Sequence, residues 1–122
     1  MTDLFLSQIV KELRLNRLTD FQGAEKTVGG VYVADLISLV MANAKQNDVW
    51  LTHQGHQNIV ALASLLQLSC VVIGGGMPCQ EETIRKANEE KIFLFGSTLP
   101  IYELAGRLYI CGLQPSAYAK MD

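Results

Sequence analysis

From residue 28 onward the chain repeats one pattern four times: a short, uninterrupted apolar run, a polar break, and a longer segment with apolar residues at three- and four-residue intervals. The pairs are "VYV" with "ADLISLVMANA", "VWLT" with "NIVALASLLQ", "CVVIG" with "QEETIRKANEE", and "IFLFG" with "PIYELAGRLYICG". Their starts are roughly twenty residues apart and share no internal consensus, so they read as β-α units of one domain and not as a solenoid. Strands that are apolar throughout, instead of alternating, belong to a sheet covered by helices on both faces. The pattern predicts an α/β fold, a three-layer α/β/α sandwich with a largely parallel central sheet. "LRLNRLT", residues 13–19, carries a further strand signal, and "DFQGAEKTVGG" reads as a turn-rich connection. Residues 1–113 are expected to form one domain, and the polar segment "QPSAYAKMD", residues 114–122, a loose tail.

The helical segments differ in what they can bury. Residues 5–13 form an amphipathic helix, with Phe5, Leu6, Ile9, Val10 and Leu13 opposite Gln8, Lys11 and Glu12. The third repeat places Glu81 before Arg85 and Glu82 before Lys86 at i,i+4 spacing, which marks a solvated helix. The fourth sets Ile101, Leu104, Ala105 and Leu108 against Glu103 and Arg107. By contrast the segments around 35–44 and 58–67 are apolar nearly all round. A domain this small cannot easily bury a helix on every side, so these two helices are expected to meet a partner, most economically a second copy of the chain.

Composition narrows the function classes. A formal charge of -2 with no Lys/Arg cluster lacks the footprint of a protein held to nucleic acid or an anionic membrane. Three cysteines without disulfide or zinc-finger spacing indicate free thiols and a reducing, cytoplasmic setting. The start of the chain has no signal-peptide pattern. Residues 49–80 contain no Asp, Glu, Lys or Arg, but the run breaks at "QLS", turns β-branched and ends in three glycines, as a buried helix followed by a buried strand would.

In parallel β-α units every strand ends at one edge, where ligands of open α/β sheets bind. That edge gathers His53, Gln54, Gly55, His56 and Asn58 from one connection, Gly74, Gly75 and Gly76 from the next, and Ser97 and Thr98 from the last. These ten residues are the candidate ligand-binding set. Glycines admit close backbone approach, and helix starts present unpaired N–H groups to an anion, best at Asn58, whose first turn carries no acid. "GGG" also reads as a tight turn, and Asn58 and Thr98 as helix caps. Trp50 is expected in the core.

"HQGH" offers metal-like spacing, with Cys79 as a third donor, but Gly55 separates the histidines and no carboxylate lies between residues 49 and 80. No metal and no cofactor are expected. His53 or His56 could serve in acid-base chemistry with Glu81, Glu82 or Glu103, although spacing specifies no pairing. "GGGMPC" lacks the Lys-Ser/Thr of a phosphate-binding loop, and Ser97 lacks a nucleophile-elbow sequence.

"VMANA", "HQNIVA" at His56–Ala61 and "AGRLY", together with "VVIGGG" and "EETIRKANEE", make residues 28–113 resemble the stand-alone DRTGG-domain proteins of anaerobic and related bacteria. The resemblance implies a fold like the N-terminal domain of HPr kinase/phosphorylase, dimer formation and a regulatory role. It also implies a setting near iron-only hydrogenase components, beside which some such proteins are encoded. Where the family has Asp-Arg and Thr-Gly-Gly, this chain has Gly55-His56 and Gly74-Gly75-Gly76, so the arginine and threonine are missing. Leu39 stands where relatives often have an acid, which favours burial of that helix against a partner. HPr kinase activity is not implied, since its phosphate-binding loop belongs to a separate domain. The expectation is a non-catalytic, homodimeric, ligand-sensing module for a small anionic ligand or nucleotide. A small hydrolase or phosphotransfer enzyme using His53 or His56, and a protein-interaction adaptor, are the alternatives.

Overall fold

Apolar runs of three to five residues fold as short strands between helices of two to three turns. The computed structural model describes residues 4–116. The elements run β1 (Leu4–Phe5), α1 (Leu6–Leu13), β2 (Asn16–Arg17), β3 (Thr27–Val28), β4 (Gly30–Val33), α2 (Ile37–Asn43), β5 (Val49–Thr52), α3 (Asn58–Leu66), β6 (Cys70–Ile73), α4 (Glu81–Glu90), β7 (Leu94–Gly96), α5 (Ile101–Ile110) and β8 (Gln114–Pro115). Six strands form the central sheet in the order β2-β7-β6-β5-β4-β8. All neighbours in it are parallel except β2, which runs antiparallel to β7 with Asn16 opposite Gly96. The mixed α/β sandwich with a mostly parallel sheet is the architecture expected from the repeats.

β5 and β6 sit in the middle, and every residue of both is buried. Their side chains alternate between two cores, as a pleated strand covered on both faces requires. Val49, Leu51, Cys70 and Val72 join Leu6, Ile9 and Leu13 of α1 and Leu104 and Leu108 of α5. Trp50, Val71 and Ile73 join Val40 of α2, Ile59, Val60 and Ala63 of α3 and Ala87 of α4. Trp50 is fully buried, and its indole Nε1–H donates to the Ala34 carbonyl at 2.7 Å, which satisfies its one polar atom. The helices α2, α3 and α4 therefore cover one face of the sheet, and α1 and α5 the other.

Several local expectations change. Leu4 and Phe5 lie ahead of α1 as β1, paired antiparallel with β3, so the stretch expected to be only a turn-rich connection contains a strand. The segment expected to be a loose tail from residue 114 begins as β8 on the edge of β4. Ser116 N–H donates to the Val31 carbonyl at 2.8 Å, and its hydroxyl meets the buried Asp48 carboxylate. The reason is that β4 would otherwise leave an unpaired sheet edge. Residues 117–122 of that tail lie outside the described residues. On α4, Arg85 pairs with Glu82 and Glu89, not with Glu81, and no Glu82–Lys86 ion pair forms among the described residues. α3 is packed between α2 and α4, with Ile59, Val60, Leu62 and Ala63 buried, while Leu65 on α3 and Leu36, Leu39 and Met41 at α2 stay exposed. No described helix is long and apolar enough to cross a membrane.

Candidate functional site

The parallel strands β4 to β7 deliver their following connections to one rim, and the loops there are tied to each other by backbone bonds. Gly74 N–H donates to the Thr52 carbonyl at 2.9 Å, joining the ends of β5 and β6. Ser97 N–H donates to Ile73 at 3.0 Å, joining β6 and β7. The Gly55 carbonyl accepts from Gln80 N–H at 3.2 Å and from the Thr83 hydroxyl at 2.7 Å, strapping the histidine loop to the start of α4. A Cβ on Gly55 would lie 2.2 Å from the Pro78 carbonyl oxygen, so only glycine fits between the two loops. His53, Gly55, Gly75, Gly76, Ser97 and Thr98 thus share the rim.

His53 carries the most specific polar arrangement. Its Nδ1 lies 2.9 Å from Asp35 Oδ2, while Asp35 Oδ1 accepts from His53 N–H at 2.7 Å and from the Thr52 hydroxyl at 2.9 Å. In the neutral ring the carboxylate places the proton on Nδ1 and leaves Nε2 as an acceptor. That nitrogen faces the glycine loop, 3.5 Å from where a Cβ on Gly75 would stand. Partial burial raises the Asp35 pKa, and the His53 N–H, the imidazole and the Thr52 hydroxyl outweigh it, so the net shift is downward. Asp35 follows β4 as His53 follows β5; the same strand-end rule, extended one strand, would have found it. The partners expected for a histidine, Glu82 and Glu103, are instead engaged by Arg85 and Arg107, and Glu81 has no ion pair among the described residues.

The backbone groups proposed as an anion cradle are already used. Gly75 N–H donates to the Leu99 carbonyl at 2.7 Å, Gly76 N–H to Ser97 at 2.9 Å and Met77 N–H to Gly74 at 3.3 Å. With φ of +67° at both Gly75 and Gly76, the triple glycine is a tight left-handed turn whose donors point inward. Gly74 is buried under Ile101 and Leu104. At α3 the expected cap is corrected: Asn58 is the first helical residue, and the His56 Nδ1 accepts from Asn58 N–H at 3.2 Å. Ile59 and Val60 N–H groups close onto His56 and Gln57 carbonyls, so this helix start also satisfies itself. Thr98 does not cap α5, whose N-cap is Pro100; the Ser97 hydroxyl accepts from Leu99 N–H at 3.1 Å instead. Gln54 spans the first two connections, its side-chain amide donating to the Asp35 carbonyl at 3.2 Å.

Open space at the rim lies beside β7. A cleft of about 670 Å³ is lined by Arg14, Asn16, Ser97, Thr98 and Arg107, among others. A second, of about 260 Å³, is lined by Asn16, Gly76, Cys79, Ser97 and Thr98. The two share Asn16, Gly96, Ser97 and Thr98. Topology explains the location: β6 leads into α4 on one face of the sheet and β7 into α5 on the other, so their connections diverge and leave a crevice. His53, Gln54, Gly55, His56 and Asn58 line neither cleft. Arg14, Asn16 and Arg107 were not expected there, because they come from α1, β2 and α5 and nothing in their spacing ties them to the strand ends. Burial raises the Cys79 thiol, which makes it a poor nucleophile at neutral pH. Among the described residues no three His, Cys, Asp or Glu side chains converge as metal ligands.

No protein-family model and no curated protein matches this sequence. Among solved structures, the chain is similar to the CBS and DRTGG domains of the regulatory region of Clostridium perfringens pyrophosphatase, complexed with its activator, diadenosine tetraphosphate. The match has a TM-score of 0.69 with 19% identity, and covers 96% of this chain and 50% of that one. This chain therefore spans about half the length of that neighbour. At such identity the likeness is one of fold: an α/β domain with a mostly parallel central sheet.

Proposed function

We propose that the chain is a non-catalytic regulatory module that senses a small anionic ligand, foremost a nucleotide, at the crevice beside β7. The observation that carries this reading is the pair of adjoining clefts at the diverging ends of β6 and β7, the position where open α/β sheets bind ligands. Arg14 supplies a positive charge that no ion pair among the described residues takes up, whereas Arg107 is paired with Glu103 and Glu12 also lines the cleft; Asn16, Ser97 and Thr98 supply hydrogen-bonding groups, and the rim loops behind them are cross-tied. The neighbouring fold belongs to a regulatory region crystallised with a nucleotide activator, which supports the ligand class without assigning it. In this reading residues 1–113 with β8 act as one unit in the cytoplasm, as a homodimer. A likeness to the N-terminal domain of HPr kinase/phosphorylase and a hydrogenase setting rest on the sequence resemblance alone. The test is a thermal-shift panel of mono- and dinucleotides, inorganic phosphates and small carboxylates. A true ligand at about 100 times its Kd stabilises by about 2.7 kcal/mol, several degrees in Tm. A flat response across the panel overturns the proposal.

One observation favours a second reading. A carboxylate on His53 Nδ1 with Nε2 left to accept is the orientation a general base needs. An enzyme of this kind requires that His53→Ala abolish a turnover seen in the folded wild type. His56, whose Nδ1 accepts from a helix N–H, is the poorer candidate.

A further inference from the structure

The outer face of α5 has a composition that nothing within the described residues explains. Leu104 and Leu108 point into the core, which turns Tyr102, Gly106, Tyr109 and Ile110 outward. Those positions are i, i+4, i+7 and i+8, one stripe along the helix. Tyr102 is 91% exposed, Tyr109 65% and Ile110 85%. Between them Gly106 has no atom of the described residues within 4 Å of where a Cβ would stand. Glycine inside a helix costs about 1 kcal/mol relative to alanine, and here neither a positive φ nor a neighbouring atom requires it. A close approach from outside the chain would.

We infer that α5 is the homodimer face, with two copies of the helix crossing antiparallel at Gly106. The stripe is self-complementary about that residue. A two-fold axis there places position 106+k of one copy against 106−k of the other, the isologous arrangement of a symmetric dimer. Tyr102 then packs on Ile110 of the second copy, and the Tyr109 hydroxyl meets Glu103 of the second copy as a donor to its carboxylate. Gly106 meets Gly106, where the absence of side chains lets the backbones approach. Charge does not oppose this. Glu103 is neutralised by Arg107 of its own helix, with Oε2 accepting from Nη2 at 2.6 Å and from Nε at 3.0 Å, so identical copies present no like-charge repulsion. Two exposed tyrosines and an isoleucine remove roughly 450 Å² per copy, given 150–250 Å² for a buried aromatic side chain. The total of roughly 900 Å² is close to the 1,000 Å² at which specific association begins, so the dimer is weak and concentration-dependent.

This inference rests on the homodimer of the proposed function and moves its surface from the segments 35–44 and 58–67 to α5. Sedimentation equilibrium from micromolar to near-millimolar protein tests it, with Tyr102→Glu, Gly106→Leu and Leu39→Glu beside the wild type. Gly106→Leu improves helix propensity, so its Tm holds or rises and lost association cannot be blamed on misfolding. Expected is a wild-type dimer weakened at least about tenfold by Tyr102→Glu and by Gly106→Leu, and unchanged by the α2 variant Leu39→Glu. A wild type that stays monomeric throughout overturns the dimer and the face together. A dimer indifferent to both α5 variants, and lost with Leu39→Glu, overturns the α5 face while the homodimer stands.

Discussion

Asp35 is the residue on which the rim's geometry turns. Its half-exposed carboxylate accepts three hydrogen bonds from two consecutive residues at the end of β5, so it fixes both the backbone and the ring of His53. Bonds to a charged acceptor contribute more than neutral ones, but exposure discounts them, and Asp35→Ala is expected to cost about 1–2 kcal/mol. The Thr52 hydroxyl keeps one partner in that variant, as acceptor from Gln54 N–H. The pH dependence has a definite sign. The folded-state pKa of Asp35 is lowered, so the stabilisation is fully present above the ordinary aspartate value of about 3.9 and is lost as pH falls through the lower folded value. Melts of wild type and Asp35→Asn from pH 7 to pH 3 should therefore show a Tm gap that closes at the acid end. A gap that stays constant would mean the carboxylate's charge contributes nothing. This residue was not legible as a partner because it lies eighteen positions before His53 in sequence, and only the parallel pairing of β4 with β5 brings position 35 beside position 53. The rim itself was legible, since strand ends in β-α units must share an edge. The state of its N–H groups was not: which carbonyl each glycine finds depends on the neighbouring loop, and Leu99 and Ser97 took donors that the glycines alone would have offered to a ligand.

At the scale of elements, apolar runs located every long strand, and three- and four-residue periodicity located every helix, to within a few residues. Ends were harder, and α1, α3 and α4 show why. Each closes on a residue in the left-handed region that is not glycine: Arg14 (φ 51°), Gln67 (φ 55°) and Lys91 (φ 57°). The following residue returns a backbone bond across the last turn, Leu15 to Val10, Leu68 to Ala63 and Ile92 to Ala87, at 2.9–3.0 Å. That residue is buried in each case. This is the hydrogen bonding that glycine usually hosts, so the familiar sequence marker was absent and the stop signal was the buried apolar residue one position later. A left-handed L-residue costs roughly 1–2 kcal/mol, and glycine returns part of that to unfolded-state entropy. Lys91→Gly and Gln67→Gly should each stabilise the fold by about 0.5–1 kcal/mol in urea denaturation. A loss of stability at either site would mean that the side-chain stem packs against the core more than its exposure indicates.

For the whole molecule, the direction in which the sheet grows decides where a ligand can enter. From β4 the chain adds β5, β6 and β7 in one direction with α2, α3 and α4 on a single face, then returns over the opposite face through α5 to reach β8 beside β4. Only between β6 and β7 do consecutive connections leave toward opposite faces. The crevice is thus a product of strand order, which apolar patterning cannot reveal: the same eight segments in a different order would open it elsewhere, and the sequence pointed as strongly to His53 as to Thr98. The two locations make different demands on a ligand. A bulky residue at position 98, shared by both clefts, fills the crevice without touching the core, because Thr98 is exposed. Thr98→Trp should therefore leave the Tm of the protein alone nearly unchanged and abolish the upward shift given by any nucleotide that stabilises the wild type. His56→Ala, which removes only an exposed ring that caps one N–H, should keep that shift in full. If the reverse pattern is found, the ligand sits over the histidine loop, and the diverging connections of β6 and β7 serve only to turn the chain.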